Sequence, residues 1–100
     1  MRAESTYLSE GVNLSKPVRP EDILPAGIES GVLNGLEVRK GSVAAFVANA
    51  KQLEQLTPGS DHYAEVSAQI VQLVPALRAV GVLDVFSPKS PDLADLIAQA

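Results

Sequence analysis

The sequence predicts a helix-rich α+β fold, and three observations carry that prediction. Residues 42–81 hold two stretches of apolar residues spaced three and four apart, separated by Thr57-Pro58-Gly59-Ser60. Residues 28–41 are shorter and β-like, with an Asn34-Gly35 dipeptide at their centre. A final segment opens Ser90-Pro91-Asp92, a sequence suited to starting a helix. The alternative is an all-α arrangement in which the residues around 30 form only a loop.

One hundred residues, 46% of them hydrophobic, suffice for one small domain. We assign residues 1–22 to a partly ordered N-terminal arm and residues 23–100 to the globular domain. The arm is polar and broken by Gly11, Pro17 and Pro20. Within it, Tyr7, Leu8, Val12 and Leu14 suggest a short extended piece lying on the core. Arg19-Pro20-Glu21-Asp22 resembles a helix start, but Pro25 and Gly27 limit it to one turn.

The Asn-Gly dipeptide suits a two-residue type I′ turn, because both central residues need positive φ. A turn centred there joins strands 29–34 and 35–41. It pairs Leu33 with Leu36, Val32 with Glu37, Gly31 with Val38 and Ser30 with Arg39. Leu33, Leu36 and Val38 then share the inner face, with Glu37 and Arg39 on the outer one. A two-stranded ribbon is marginal by itself, so its inner face needs the helices, and a covering position over the first of them is predicted.

Val43, Phe46, Val47, Ala50, Leu53 and Leu56 mark one face of a helix over residues 42–56, with Ser42 as its N-cap. The short break that follows implies an antiparallel neighbour, a helix over residues 60–81. Its main stripe is Tyr63, Val66, Ile70, Leu73, Leu77 and Val80, flanked by Ala64, Ala68, Val71 and Val74. The stripe runs in phase through Pro75, which favours one kinked helix over two, and Gly81 ends it. Val82-Leu83-Asp84-Val85-Phe86 is β-branched and aromatic, and is predicted as a third strand (82–86) of the sheet. The short C-terminal helix covers residues 90–99, with Leu93, Leu96 and Ile97 on its buried side.

Composition narrows the function. The chain has no cysteine, which removes thiolate catalysis, thiolate zinc sites and disulfides. Net charge is −4, divided as −1 over residues 1–41 (five basic, six acidic) and −3 over residues 42–100 (three basic, six acidic). Neither half offers a basic surface for nucleic acid. The apolar runs are interrupted by Gln72, Pro75 and Arg78, so no membrane span is predicted, and nothing resembles a signal peptide. A cytoplasmic location is expected.

Motifs for chemistry are sparse. His62 is the single histidine, at a helix start beside Asp61 and three residues before Glu65, and this spacing fits no metal site. Asp84 interrupts an apolar segment and is the carboxylate most suited to partial burial. No nucleophile elbow or paired carboxylate accompanies it, so neither enzyme activity nor a cofactor or metal is expected. Arg39-Lys40-Gly41-Ser42 places two cations at a helix N-terminus, whose free N–H groups suit an anion or phosphorylated metabolite. Arg39, Lys40 and Ser42 are therefore candidate anion-binding residues. The second helix is apolar over more of its surface than one neighbour covers. Ile70, Val71, Val74 and Leu77 are accordingly the candidate interface of a homodimer or other protein complex. The function expected is a non-catalytic, self-associating interaction module, with anion binding at Arg39–Ser42 as the alternative.

Overall fold

The computed structural model describes residues 17–100, and its elements run α1 (Pro20–Ile23), β1 (Ser30–Leu33), β2 (Leu36–Arg39), α2 (Ser42–Leu53), α3 (Asp61–Val80), α4 (Val82–Val85) and α5 (Pro91–Gln99). The fold is α+β and helix-rich, as predicted. The extended piece expected around Tyr7–Leu14 lies outside the described residues. What remains of the arm leads into α1, where the Arg19 N–H donates to Asp22 Oδ2 at 2.9 Å.

The β-hairpin has the predicted register, Ser30 with Arg39 through Leu33 with Leu36. Asn34 (φ 49°) and Gly35 (φ 83°) both take the left-handed backbone that a type I′ turn requires. Leu33 and Val38 are buried as alternation demands, whereas Leu36, at the rim beside the turn, is exposed. The hairpin does not cover α2. Leu33 and Val38 pack instead on the C-terminal half of α3, against Ala76, Ala79 and Val80. Small side chains at positions 76 and 79 let the ribbon come close to the helix. A polar clip reinforces this contact: Asn34 Nδ2 donates to the Ala79 carbonyl at 2.7 Å. That carbonyl lies in the last turn of α3, where no following helical N–H can reach it. Gly31 sits close to α1's exit: a Cβ there would lie 2.7 Å from Leu24 Cδ2, so a larger residue would need the Leu24 side chain to shift.

α2 starts one residue differently from expectation. Gly41, left-handed at φ 91°, is the N-cap, and Ser42 is the first helical residue. The Ser42 hydroxyl donates back to the Arg39 carbonyl at 2.7 Å, tying the strand end to the helix. The helix stops at Leu53 rather than Leu56. Beyond it, Gln55 N–H donates to Gln52 O and Leu56 N–H to Leu53 O, three-residue bonds that tighten the last turn. Ser60 then caps α3, its hydroxyl accepting from Tyr63 N–H at 3.2 Å.

α3 is the element on which the others pack. Its 20 residues run as one helix through the exposed Pro75. Ile70, Val74 and Leu77 are the largest fully buried side chains of the described residues. Around them gather Phe46 and Leu53 of α2, Val82 and Leu83 of α4, and Leu93, Leu96 and Ile97 of α5. Ser67 is the exception on this helix: its hydroxyl is buried without a hydrogen-bond partner among the described residues. Replacing Ser67 with Ala removes a desolvated hydroxyl and improves helix propensity, so stability should rise by about 1 kcal/mol. Thermal unfolding of Ser67→Ala checks this, and a lower midpoint would mean that the hydroxyl has a partner.

The predicted third strand does not form. Residues 82–85 are a turn of helix, with Phe86 N–H donating to Val82 O at 2.9 Å, and among the described residues the sheet has two strands. Strand alternation would place Asp84 on the same face as Val82 and Phe86. The helical turn instead buries Val82 and Leu83 against the core while Asp84 and Val85 point outward. Gly81, left-handed at φ 96°, makes the reversal between α3 and α4. Tertiary packing thus overrides β-propensity in a segment with no strand to pair with.

α5 has the predicted N-terminus: the Ser90 hydroxyl accepts from Leu93 N–H at 3.1 Å, with Pro91 at the first position. At its other end, Arg78 of α3 donates from Nη2 to the Ile97 carbonyl at 3.0 Å. A cation at the C-terminal carbonyls of a helix is favourably placed with respect to the helix dipole.

Candidate functional site: an apolar groove between three helices

An open apolar surface lies, among the described residues, where α2, α4 and α5 meet over α3. Val43, Phe46 and Val47, at helical spacing on the first two turns of α2, form one wall. Val82 and Leu83 of α4 form a second, and Leu93 and Ile97 of α5 a third, with Leu77 in the floor. Phe86, Ser87 and Pro88, on the loop leaving α4, complete the lip of a groove of about 330 Å³.

Its chemistry is simple. Among its lining residues only Ser87 has a polar side chain, and none is titratable. Such a surface binds by desolvation rather than by charge. Its margin is also unusually exposed for apolar side chains: Val47 is 49% exposed and Phe86 68%. Single exposed hydrophobics need no explanation; here two lie on the rim of one apolar recess and leave a contiguous apolar patch open to solvent.

The residues expected to form an interface are elsewhere. Ile70 and Val74 are completely buried, Leu77 is 1% exposed, and Val71 is half-buried. The breadth of the α3 apolar face is accounted for within the chain, by α2 on one side, α4 and α5 on another, and the hairpin at its C-terminal half. Those four residues therefore offer no surface to a partner, apart from part of Val71. Leu77 alone reaches the groove, as floor.

The candidate anion residues are not brought to one point. Arg39 and Lys40 are both exposed, and Ser42 directs its hydroxyl to the Arg39 carbonyl instead of outward from the helix end. Lys40 lines a shallow depression with Pro20, Glu21, Ile23, Leu24 and Ala26, and Arg39 takes no part in it. Glu21 on that rim opposes anion binding. His62 is exposed in the first turn of α3, and among the described residues no three metal-ligating side chains converge. Asp84, singled out only as the carboxylate most suited to partial burial, is exposed on α4.

Sequence reasoning missed Phe86 and Pro88 as site residues, and placed Val43 and Val47 in the core. One signal was available. Phe86 precedes Ser87-Pro88, so a large aromatic sits where the chain leaves regular structure and has no assured partner.

Among the described residues no helix is long and apolar enough to cross a membrane. Comparison of the chain with protein-family models, with curated proteins and with solved structures gives no match.

Proposed function

We propose that the protein is a non-catalytic, self-associating interaction module of the cytoplasm, and that the groove between α2, α4 and α5 is its contact surface. The observation that supports this reading is the exposure of Phe86 and Val47, at 68% and 49%, on the lip of an apolar recess. Removing such a surface from water is a main source of association free energy. A small chain also gains from association, because it buries only about two-thirds of its unfolded surface alone. The absence of cysteine accords with a reducing compartment, and the net charge of −4 with a partner other than nucleic acid.

Sedimentation velocity over a range of concentrations tests the proposal. The wild-type chain should sediment as a dimer at high micromolar concentration. Phe86→Asp places a charge at two symmetry-related anchors of about 2 kcal/mol each, so dimer affinity should fall roughly a thousandfold. The substituted side chain is exposed in the monomer, so the thermal midpoint of the diluted protein should scarcely change. A wild-type monomer at all concentrations would refute the reading. The alternative, an anion site at Arg39, Lys40 and Ser42, has less support, since the two cations do not share a depression.

A further inference from the structure

We infer that Asn34 is a chemical modification site, deamidating through attack by the Gly35 backbone nitrogen at a rate set by how often the hairpin tip lifts off α3. The site is separate from the groove and does not depend on self-association.

Asparagine amides are among the thermolabile groups of a protein chain. Deamidation needs a nucleophile, an electrophile and room for a five-membered ring, and Asn34-Gly35 supplies all three. Gly35 has no Cβ to obstruct the approach of its nitrogen to the Asn34 side chain, and a Cβ built there meets nothing within 4 Å. Both residues are exposed, so water reaches them. The Gly35 N–H makes no backbone hydrogen bond among the described residues. That nitrogen gives its proton to hydroxide and bonds to Asn34 Cγ. The Cγ–Nδ2 bond then breaks, and the side-chain nitrogen takes a proton from water and leaves as ammonia. Water opens the resulting cyclic imide at either carbonyl, giving aspartate or isoaspartate. The net exchange is water for ammonia, with no change of oxidation state. Asn49 provides the contrast: it lies inside α2 and is followed by Ala50, whose Cβ and helical backbone hinder the same attack.

The clip opposes the reaction. Nδ2, the leaving group, is held at 2.7 Å from the Ala79 carbonyl. Positive φ at both turn residues fixes the backbone around the ring that must form. Ring closure therefore waits for the tip to open. Leu33 and Val38, buried against Ala76, Ala79 and Val80, set how rarely it does. Neither product restores the clip, since each acid lacks the donor for the Ala79 carbonyl. Isoaspartate also lengthens the backbone of a two-residue turn. The modification is thus a one-way change from a clipped to a released hairpin.

Ageing the wild-type chain at mildly alkaline pH and mapping its peptides by mass spectrometry tests this. Asn34 should convert while Asn49 stays an amide, and the product should accept methyl groups from an isoaspartyl methyltransferase. Conversion should be at least about tenfold faster in guanidinium chloride, where the tip is free, and about tenfold faster in Leu33→Ala, which loosens the hairpin. The comparison in denaturant needs no variant, and circular dichroism checks that Leu33→Ala keeps its helices. The converted protein, separated by its added negative charge, should melt about 5 °C or more below the unconverted form. Asn34 as stable as Asn49, equal rates in the folded and unfolded wild type, a folded Leu33→Ala no faster than wild type, or a converted fraction that melts with the unconverted one would overturn the inference.

Discussion

Ile70→Ala should lower the stability of the protein by about 2–5 kcal/mol, one of the largest effects expected of a single truncation among the described residues. Ile70 has no solvent exposure and lies in the middle of α3, packed with Phe46, Val66, Val74 and Leu77. Truncation loses the transfer free energy of three carbon atoms and leaves a cavity where helices from both sides meet. A domain of this size has about 5–15 kcal/mol of stability in all, so the variant should be partly unfolded on mild heating. Val71→Ala, one residue along and half-buried, should lose much less. Urea unfolding of both variants measures the difference. Equal and small losses would mean that Ile70 faces outward, as an interface residue does, and that the core is not centred on α3.

The second large effect is expected at Asn34, through two substitutions with different meanings. Asn34→Asp keeps a residue tolerant of positive φ but replaces the donor to the Ala79 carbonyl with an acceptor. The two oxygens then repel, and the last-turn carbonyl of α3 is left without its partner. A loss of about 1–3 kcal/mol is expected. Asn34→Gly keeps the turn geometry and removes the hydrogen bond without adding repulsion, so it should lose about 1 kcal/mol. The ordering, wild type above Gly above Asp, separates the clip from the turn. Thermal unfolding gives it directly. If Gly and Asp are both harmless, the side chain contributes nothing beyond its backbone conformation.

Asn34 also illustrates how far the sequence could be read. Its turn type, and with it the whole register of the hairpin, was legible because positive φ at two successive positions is a local demand that few dipeptides meet. Its bond to Ala79 was not legible, since that contact joins residues 45 apart and depends on where the hairpin lands. The same division runs through the chain. The Ser90 helix start, the Gly81 terminus and the helical hairpin rest on local patterns and were read from them. The segment 82–86 was misread as a strand because its β-branched residues suit a strand only when another strand is within reach. Gly81 turns the chain back onto α3 instead, and helical spacing then buries Val82 and Leu83.

The candidate site was the least legible part. The broad apolar face of α3 was visible, but its coverage depended on the placement of the hairpin, of α4 and of α5. The hairpin packs on α3 instead of α2, and α5 fills much of the remaining side. The surplus surface therefore moves to the first turns of α2, where Val47 has no cover, and to the exit of α4 at Val85 and Phe86. Arg39 and Lys40 were adjacent in sequence, but their side chains do not share the depression that Lys40 lines. Proximity along a chain did not predict convergence in space.

The central claim is that the interacting surface lies on the groove lip and not on the face of α3. Backbone amide chemical shifts recorded across a dilution series test it most directly. The account predicts shifts that change with concentration at Val47, Phe86 and Ser87, and constant shifts at Ile70 and Val74. Constant shifts at the lip, or changes confined to α3 or to the outer face of the hairpin around Val32, would contradict it.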